Sequence, residues 1–106
     1  MVTFEEFKKL DIRVGTIVEA GRVEGSDKLL RLVIDLGEET RQLVAGIGKM
    51  YEPEELIGKQ IPILANLEPK TLMGIESQGM ILAASEDGQP VLLHPDKSVT
   101  NGAQVR

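Results

Sequence analysis

The chain has 106 residues, 42% of them hydrophobic and 27% charged, which fits one globular domain of ordinary composition. It has no cysteine and a single histidine, His94, which excludes disulfide frameworks, thiolate nucleophiles, zinc ribbons and histidine-rich metal sites. The net charge of −5 argues by itself against phosphate binding, and no apolar run approaches the ~20 residues needed to cross a bilayer.

The first predicted element is a short helix with complete start signals. Thr3 is a good N-cap, and Glu6 three residues later completes a capping box. Val2 and Phe7 have the spacing of a hydrophobic staple, and Phe4, Phe7 and Leu10 form one apolar stripe. So heavy an apolar load on so short a helix must bury against the body or against another subunit. Nothing in this terminus has the basic and apolar character of a signal peptide, so a cytoplasmic setting is expected.

From residue 11 the pattern becomes extended. Residues 11–23 are rich in Ile, Val and Thr, and the apolar phase slips between Val14 and Ile17, predicting a bulge near Gly15. Residues 28–36 alternate, with Leu30, Leu32, Ile34 and Leu36 inward and Arg31 outward. Gly37-Glu38-Glu39 makes a turn into a third strand over Thr40–Ala45, whose Arg41 is also read as facing solvent. Tyr51-Glu52-Pro53-Glu54-Glu55-Leu56 reads as one or two helical turns with Pro53 in the first turn, and Tyr51 is expected to pack its ring against the barrel. Residues 60–67 form a fourth strand with Ile61, Ile63, Ala65 and Leu67 in phase, and Pro62 predicts an edge or a strand start. Residues 68–78 read as a loop, 79–84 as a fifth strand, and Asp87-Gly88 as a hairpin turn before an irregular tail from His94. With no linker or repeat, residues 1–106 are expected to be one domain. A bent first strand, five main strands and a helix between the third and fourth predict an all-β, five-stranded OB-fold barrel.

Charge distribution softens the objection from net charge. Glu5, Glu6, Glu52, Glu54, Glu55, Glu86 and Asp87 lie in three short acidic pieces, and outside these pieces acids and bases are equal in number. OB-folds bind oligonucleotides on a sheet face flanked by the loop after the first strand and the loop between the fourth and fifth. Here those loops are 24–28 and 68–78. They would bring Lys28, Asn66, Lys70, Ser77 and Met80 to one surface. The lysines suit phosphate, Asn66 and Ser77 suit sugar, phosphate or a 2′-OH, and Met80 suits a base or ribose. Each has a plainer reading. Lys28 and Lys70 are the sort of lysine that keeps a turn soluble, Asn66 and Ser77 the sort of polar group that closes a turn, and Met80 the sort of apolar residue that fills a core. Catalysis is not expected: no nucleophile accompanies His94, and no glycine-rich phosphate loop is present. No cofactor is expected either.

Four stretches carry a resemblance: Asp11-Ile12-Arg13-Val14-Gly15-Thr16-Ile17, Asp27-Lys28-Leu29, Ala65-Asn66-Leu67-Glu68-Pro69-Lys70, and residues 74–84 from Gly74-Ile75-Glu76-Ser77-Gln78 onward. Together they resemble the tRNA-binding domain found at the C-terminus of many methionyl-tRNA synthetases, in free-standing tRNA-binding proteins and in endothelial monocyte-activating polypeptide. The resemblance implies an OB-fold that binds tRNA by shape, with Asn66, Lys70, Ser77 and Met80 as the positions to carry over. It also implies a homodimer whose interface is built from segments 1–10 and 94–106, with Phe4 and Phe7 in it. An aminoacyl-tRNA synthetase catalytic domain is the implied further partner. Met73, Glu68 and the stretch 23–27 depart from the pattern, in each case lowering the positive charge of the face. An alternative from another class is a dimerisation or chaperone-like protein-binding module of the same fold.

Overall fold

A computed structural model describes all residues, 1–106. The main sheet runs in the order β3-β2-β1-β4-β7, built from β1 (Ile12–Arg22), β2 (Leu30–Asp35), β3 (Thr40–Ala45), β4 (Gln60–Leu64) and β7 (Met80–Ile81), all antiparallel. It curls into a nearly closed, OB-like barrel. Two hairpins stand apart from its ladder: β5 (Lys70–Leu72) with β6 (Ile75–Ser77), and β8 (Ala83–Glu86) with β9 (Gln89–Leu92). The helices are α1 (Phe4–Phe7) and α2 (Pro53–Leu56), and no helix is long and apolar enough to cross a membrane.

The period-2 pattern of β2 and β4 decides the interior. Leu30, Leu32, Ile34, Ile61 and Ile63 are fully buried, joined by Ile17, Leu43 and Leu56. Leu67 is exposed because β4 stops at Leu64, three residues short of the predicted end. Tyr51 packs on this core, and its hydroxyl accepts the Leu92 N–H at 3.1 Å.

β1 is irregular at two positions, for different reasons. Its pairing with β2 shifts register between Ile17 and Glu19, so the bulge lies at Val18 and not at Gly15. Gly15 instead permits close approach: a Cβ there would stand 2.5 Å from Ile34 Cγ2 and 2.7 Å from the Asp35 carbonyl oxygen. β4 is also not an edge, since it lies between β1 and β7. Pro62 is tolerated because the carbonyl of its pairing partner Val14 turns away and accepts the Gly102 N–H at 2.8 Å, so β1 asks no donor of the proline nitrogen. The tail lies along this free edge of β1, with the N–H groups of Gly102 and Val105 donating to Val14 and Ile12.

Residues 79–84 are not one strand. Met80–Ile81 pairs with β4, the Leu82 N–H reaches the Pro62 carbonyl at 3.2 Å, and the chain then leaves for the β8–β9 hairpin. That hairpin closes on Asp87-Gly88, both at positive φ (51° and 77°), as the Asp-Gly pair predicts. In α1 the predicted capping box forms, Thr3 Oγ1 accepting the Glu6 N–H and Glu6 Oε1 accepting the Thr3 N–H, each at 3.1 Å. Its apolar face is only partly covered within this chain: Phe7 is half-buried, but Phe4 is 70% exposed and Val2 is exposed beside it.

Candidate nucleic-acid interface

Lys28 lies in the loop between β1 and β2, two residues before β2 begins. Its backbone is fixed by the Gly48 N–H, which donates to the Lys28 carbonyl at 2.7 Å, and its stem lies across Gly46, where a Cβ would come within 3.0 Å of Lys28 Cε. Arg22 braces the same stretch, Nη1 donating to the Gly48 carbonyl at 2.9 Å and Nη2 to Glu52 at 3.1 Å. Asp27 pairs outward with Lys49 at 3.8 Å. Lys28 itself has no carboxylate within reach.

The stretch read as a loop, 68–78, is a hairpin for most of its length. Lys70 pairs with Ser77, Thr71 with Glu76 and Leu72 with Ile75, around a turn in which Met73 and Gly74 both take positive φ (51° and 79°). Lys70 is exposed on β5 and, like Lys28, has no ionic partner. The two loops touch: a Cβ on Gly25 would stand 3.1 Å from Met73 Cε, so the tip of the hairpin rests on the first loop. That contact brings two segments distant in sequence side by side, each carrying an unpaired lysine. Met80, 46% exposed, follows the hairpin on β7.

Asn66 and Ser77 are occupied differently. Asn66 Oδ1 accepts the Asp11 N–H at 2.9 Å, and its Nδ2 donates to the Lys9 carbonyl at 2.7 Å, tying the base of the second loop to the segment after α1. Ser77 is 5% exposed; its Oγ accepts the Val44 N–H at 3.0 Å and donates to the Gly79 carbonyl at 3.1 Å. Both side chains hold the second loop, on which Lys70 stands.

Arg31 and Arg41, read from sequence as solvated, are anchored. Arg31 Nε donates to Gln42 Oε1 at 2.6 Å, with Glu19 at 3.6 Å from its Nη1. Arg41 Nη1 donates to the carbonyls of Ala65 (2.6 Å) and Gln78 (3.1 Å), bracketing the whole second loop, while its Nε meets Glu39 at 2.8 Å. No local pattern flags these roles, because the partners lie 24 and 37 residues away. Six cations, Lys8, Arg13, Arg22, Arg31, Arg41 and Lys49, are ion-paired; Lys9, Lys28, Lys59, Lys70, Lys97 and Arg106 are free. Away from the loops, the Asp11 side chain, 2.9 Å from Arg13 Nε, raises the guanidinium above its ordinary pKa through hydrogen bonding and charge. The Thr3 backbone and hydroxyl lower the Glu6 carboxyl below its ordinary 4.5.

These features define an OB-like barrel with two loops in contact, each with an unpaired lysine. The chain belongs to the putative tRNA-binding domain family, whose model matches residues 12–104. It is 58% identical over its full length to a methionine–tRNA ligase of Methanothrix thermoacetophila and 54% identical over 98% of its length to that of Thermotoga maritima. It spans 16% of the length of each of these relatives. Among solved structures it is similar to a MetRS-related protein of Pyrococcus horikoshii (TM-score 0.95, 38% identity, covering 100% of this chain and 98% of that one). A chaperone CsaA of Bacillus anthracis is similar as well (TM-score 0.92, 39% identity, covering 100% and 99%).

Proposed function

We propose that this chain is a non-catalytic module that binds tRNA by shape and phosphate contacts, working in the cytoplasm as a homodimer. In this reading it raises the tRNA affinity of a methionyl-tRNA synthetase as that enzyme's C-terminal dimerising domain. The observation that carries the proposal is the contact of Met73 with Gly25, which joins two loops whose lysines, Lys28 and Lys70, have no carboxylate to neutralise them. Met80 supplies an apolar surface for ribose or base beside them, and Asn66 and Ser77 serve binding by keeping the second loop in place. Linkage to a catalytic domain would turn modest affinity into a high local tRNA concentration. Membership of the family and the likeness to methionine–tRNA ligases support the choice of ligand.

The dimer reading rests on α1. Phe4, Phe7, Leu10, Ile12 and Val105 line a groove of about 250 Å³, and Phe4 is largely exposed. A second copy laid on this groove would cover it, and Phe4→Ser is expected to shift the sedimenting species toward monomer; an unchanged sedimentation profile would remove α1 from the interface. The same exposed groove and the likeness to a chaperone favour a second reading, a protein-binding module.

Filter binding of unfractionated tRNA across a salt series tests the ligand. Log affinity should fall linearly with log salt, and Lys28→Ala or Lys70→Ala should each flatten the slope by about 0.7–0.9. A wild-type affinity that ignores salt, or retention of unfolded peptide but not tRNA, would favour the protein-binding reading instead.

A further inference from the structure

The β5–β6 hairpin carries Lys70 but belongs to no ladder of the barrel sheet. Its attachment to β3 is made largely by side chains. The Val44 N–H ends on Ser77 Oγ and the Gln42 N–H on Gln78 Oε1 (3.1 Å), positions where a neighbouring strand would present carbonyls. One backbone bond, from the Gln78 N–H to the Gln42 carbonyl at 2.8 Å, completes the seam.

Gln42 is the residue on which two attachments meet. Its Nε2 donates to the Glu76 carbonyl at 2.8 Å, and its Oε1 accepts from Arg31 Nε at 2.6 Å. Arg31 stands opposite Val44 in the β2–β3 register, two residues beyond Gln42, the diagonal on which long side chains of one face meet. Glu76 is the register partner of Thr71, immediately after Lys70. One side-chain amide therefore reaches from the strand holding Arg31 to the hairpin holding Lys70.

We propose that Gln42 is a positioning residue that fixes the Lys70 hairpin to Arg31 of the β2–β3 sheet, so that Lys70 meets the ribose-phosphate chain from one set place. This rests on the RNA-binding reading above. The side-chain requirement is strict: one oxygen must accept from a guanidinium while one nitrogen donates to a carbonyl, and a primary amide of this length meets both. Glutamate keeps the first bond and turns the second into oxygen against oxygen. Methionine matches the length and makes neither.

The experiment compares Gln42→Glu and Gln42→Met, alone and combined with Lys70→Ala or Lys28→Ala, in tRNA affinity at fixed salt and in backbone amide exchange. Gln42→Met loses both bonds and is expected to weaken binding at least about fivefold, the weight of the neutral bond to the Glu76 carbonyl alone. Adding Lys70→Ala to it should cost about twofold or less, because the lysine is already displaced. Lys28→Ala, on the loop braced by Gly48, should cost the same factor in both backgrounds. Amides of residues 70–78 should exchange faster in both variants while those of β1 keep their protection. Wild-type affinity in Gln42→Met, losses that simply multiply with Lys70→Ala, or unchanged hairpin exchange would each overturn the assignment. If Gln42→Met fails to fold, Gln42→Glu carries the same two combinations. If the wild-type chain binds no tRNA, the RNA reading fails, and hairpin exchange alone then decides whether Gln42 holds the seam.

Discussion

Ser77→Ala separates a frame role from an RNA contact at the most buried of the candidate positions. The substitution removes one oxygen and leaves the buried Val44 N–H and the Gly79 carbonyl without the partners they have at 3.0 and 3.1 Å. An unsatisfied buried donor costs about 1–3 kcal/mol, and about 2 kcal/mol is taken here because alanine fills nearly the same volume and adds no strain. For a domain of this size that is a fall in Tm of about 9 °C. Thermal melts followed by circular dichroism give the stability, and tRNA binding is measured at 25 °C, well below either transition. A frame role is expected to give the full loss of Tm with an affinity change of about threefold or less, since the fold persists and only the hairpin loosens. A Tm within about 2 °C of wild type together with a loss of binding beyond about tenfold would refute the reasoning and place the hydroxyl on the ligand.

The remaining expectations concern backbone packing and the capped terminus. Gly15→Ala would drive a methyl to 2.5 Å from Ile34 Cγ2 and 2.8 Å from Leu36 Cδ2, with the Asp35 carbonyl behind, and should cost about 1–3 kcal/mol in a urea melt; an unaffected midpoint would mean that β1 and β2 can part freely. Glu6 has its folded pKa lowered, first by the Thr3 backbone N–H and then by the Thr3 hydroxyl. Its contribution to α1 is therefore present above 4.5 and is lost as pH falls through the lowered value. NMR titration should find the Glu6 midpoint below 4.5 and Thr3→Ala should raise it; a wild-type midpoint at or above 4.5 would contradict the capping box.

What could be read from the chain alone is what local chemistry decides. The Thr3–Glu6 cap, the Asp87-Gly88 turn and the alternation of Leu30, Leu32 and Ile34 depend on neighbours within a few residues, and each is found as expected. The β5–β6 hairpin was not legible, for physical reasons. Its strands are three residues long, they lack an apolar alternation, and its turn puts Met73 in a left-handed conformation where Asn or Asp would have signalled it. The slip of phase near Gly15 was legible, but its cause was not: a pattern of apolar residues cannot distinguish an inserted residue at Val18 from a glycine pressed against β2. The bonds that occupy Ser77 and Asn66 had no local signature, because their partners Val44 and Lys9 lie 33 and 57 residues away.

Which residues are so occupied follows from what each side chain can do. Asn66, Ser77 and Gln42 each offer a donor and an acceptor on a short or amide-tipped chain, and a hairpin outside the sheet has backbone groups that need such partners. Lysine offers only donors on a long flexible stem, so it cannot complete those bonds and its charge stays in water unless a carboxylate captures it. Carboxylates capture Lys8 and Lys49, but Lys28 and Lys70 are left free. A phosphate backbone approaching the surface therefore meets cations that need not break an ion pair first, on loops whose ordering cost has already been met within the fold. In the proposed reading this is how an anionic protein can hold RNA here: net charge sets the long-range repulsion that salt screens within about 10 Å, while contact depends on the charges left unpaired at the surface.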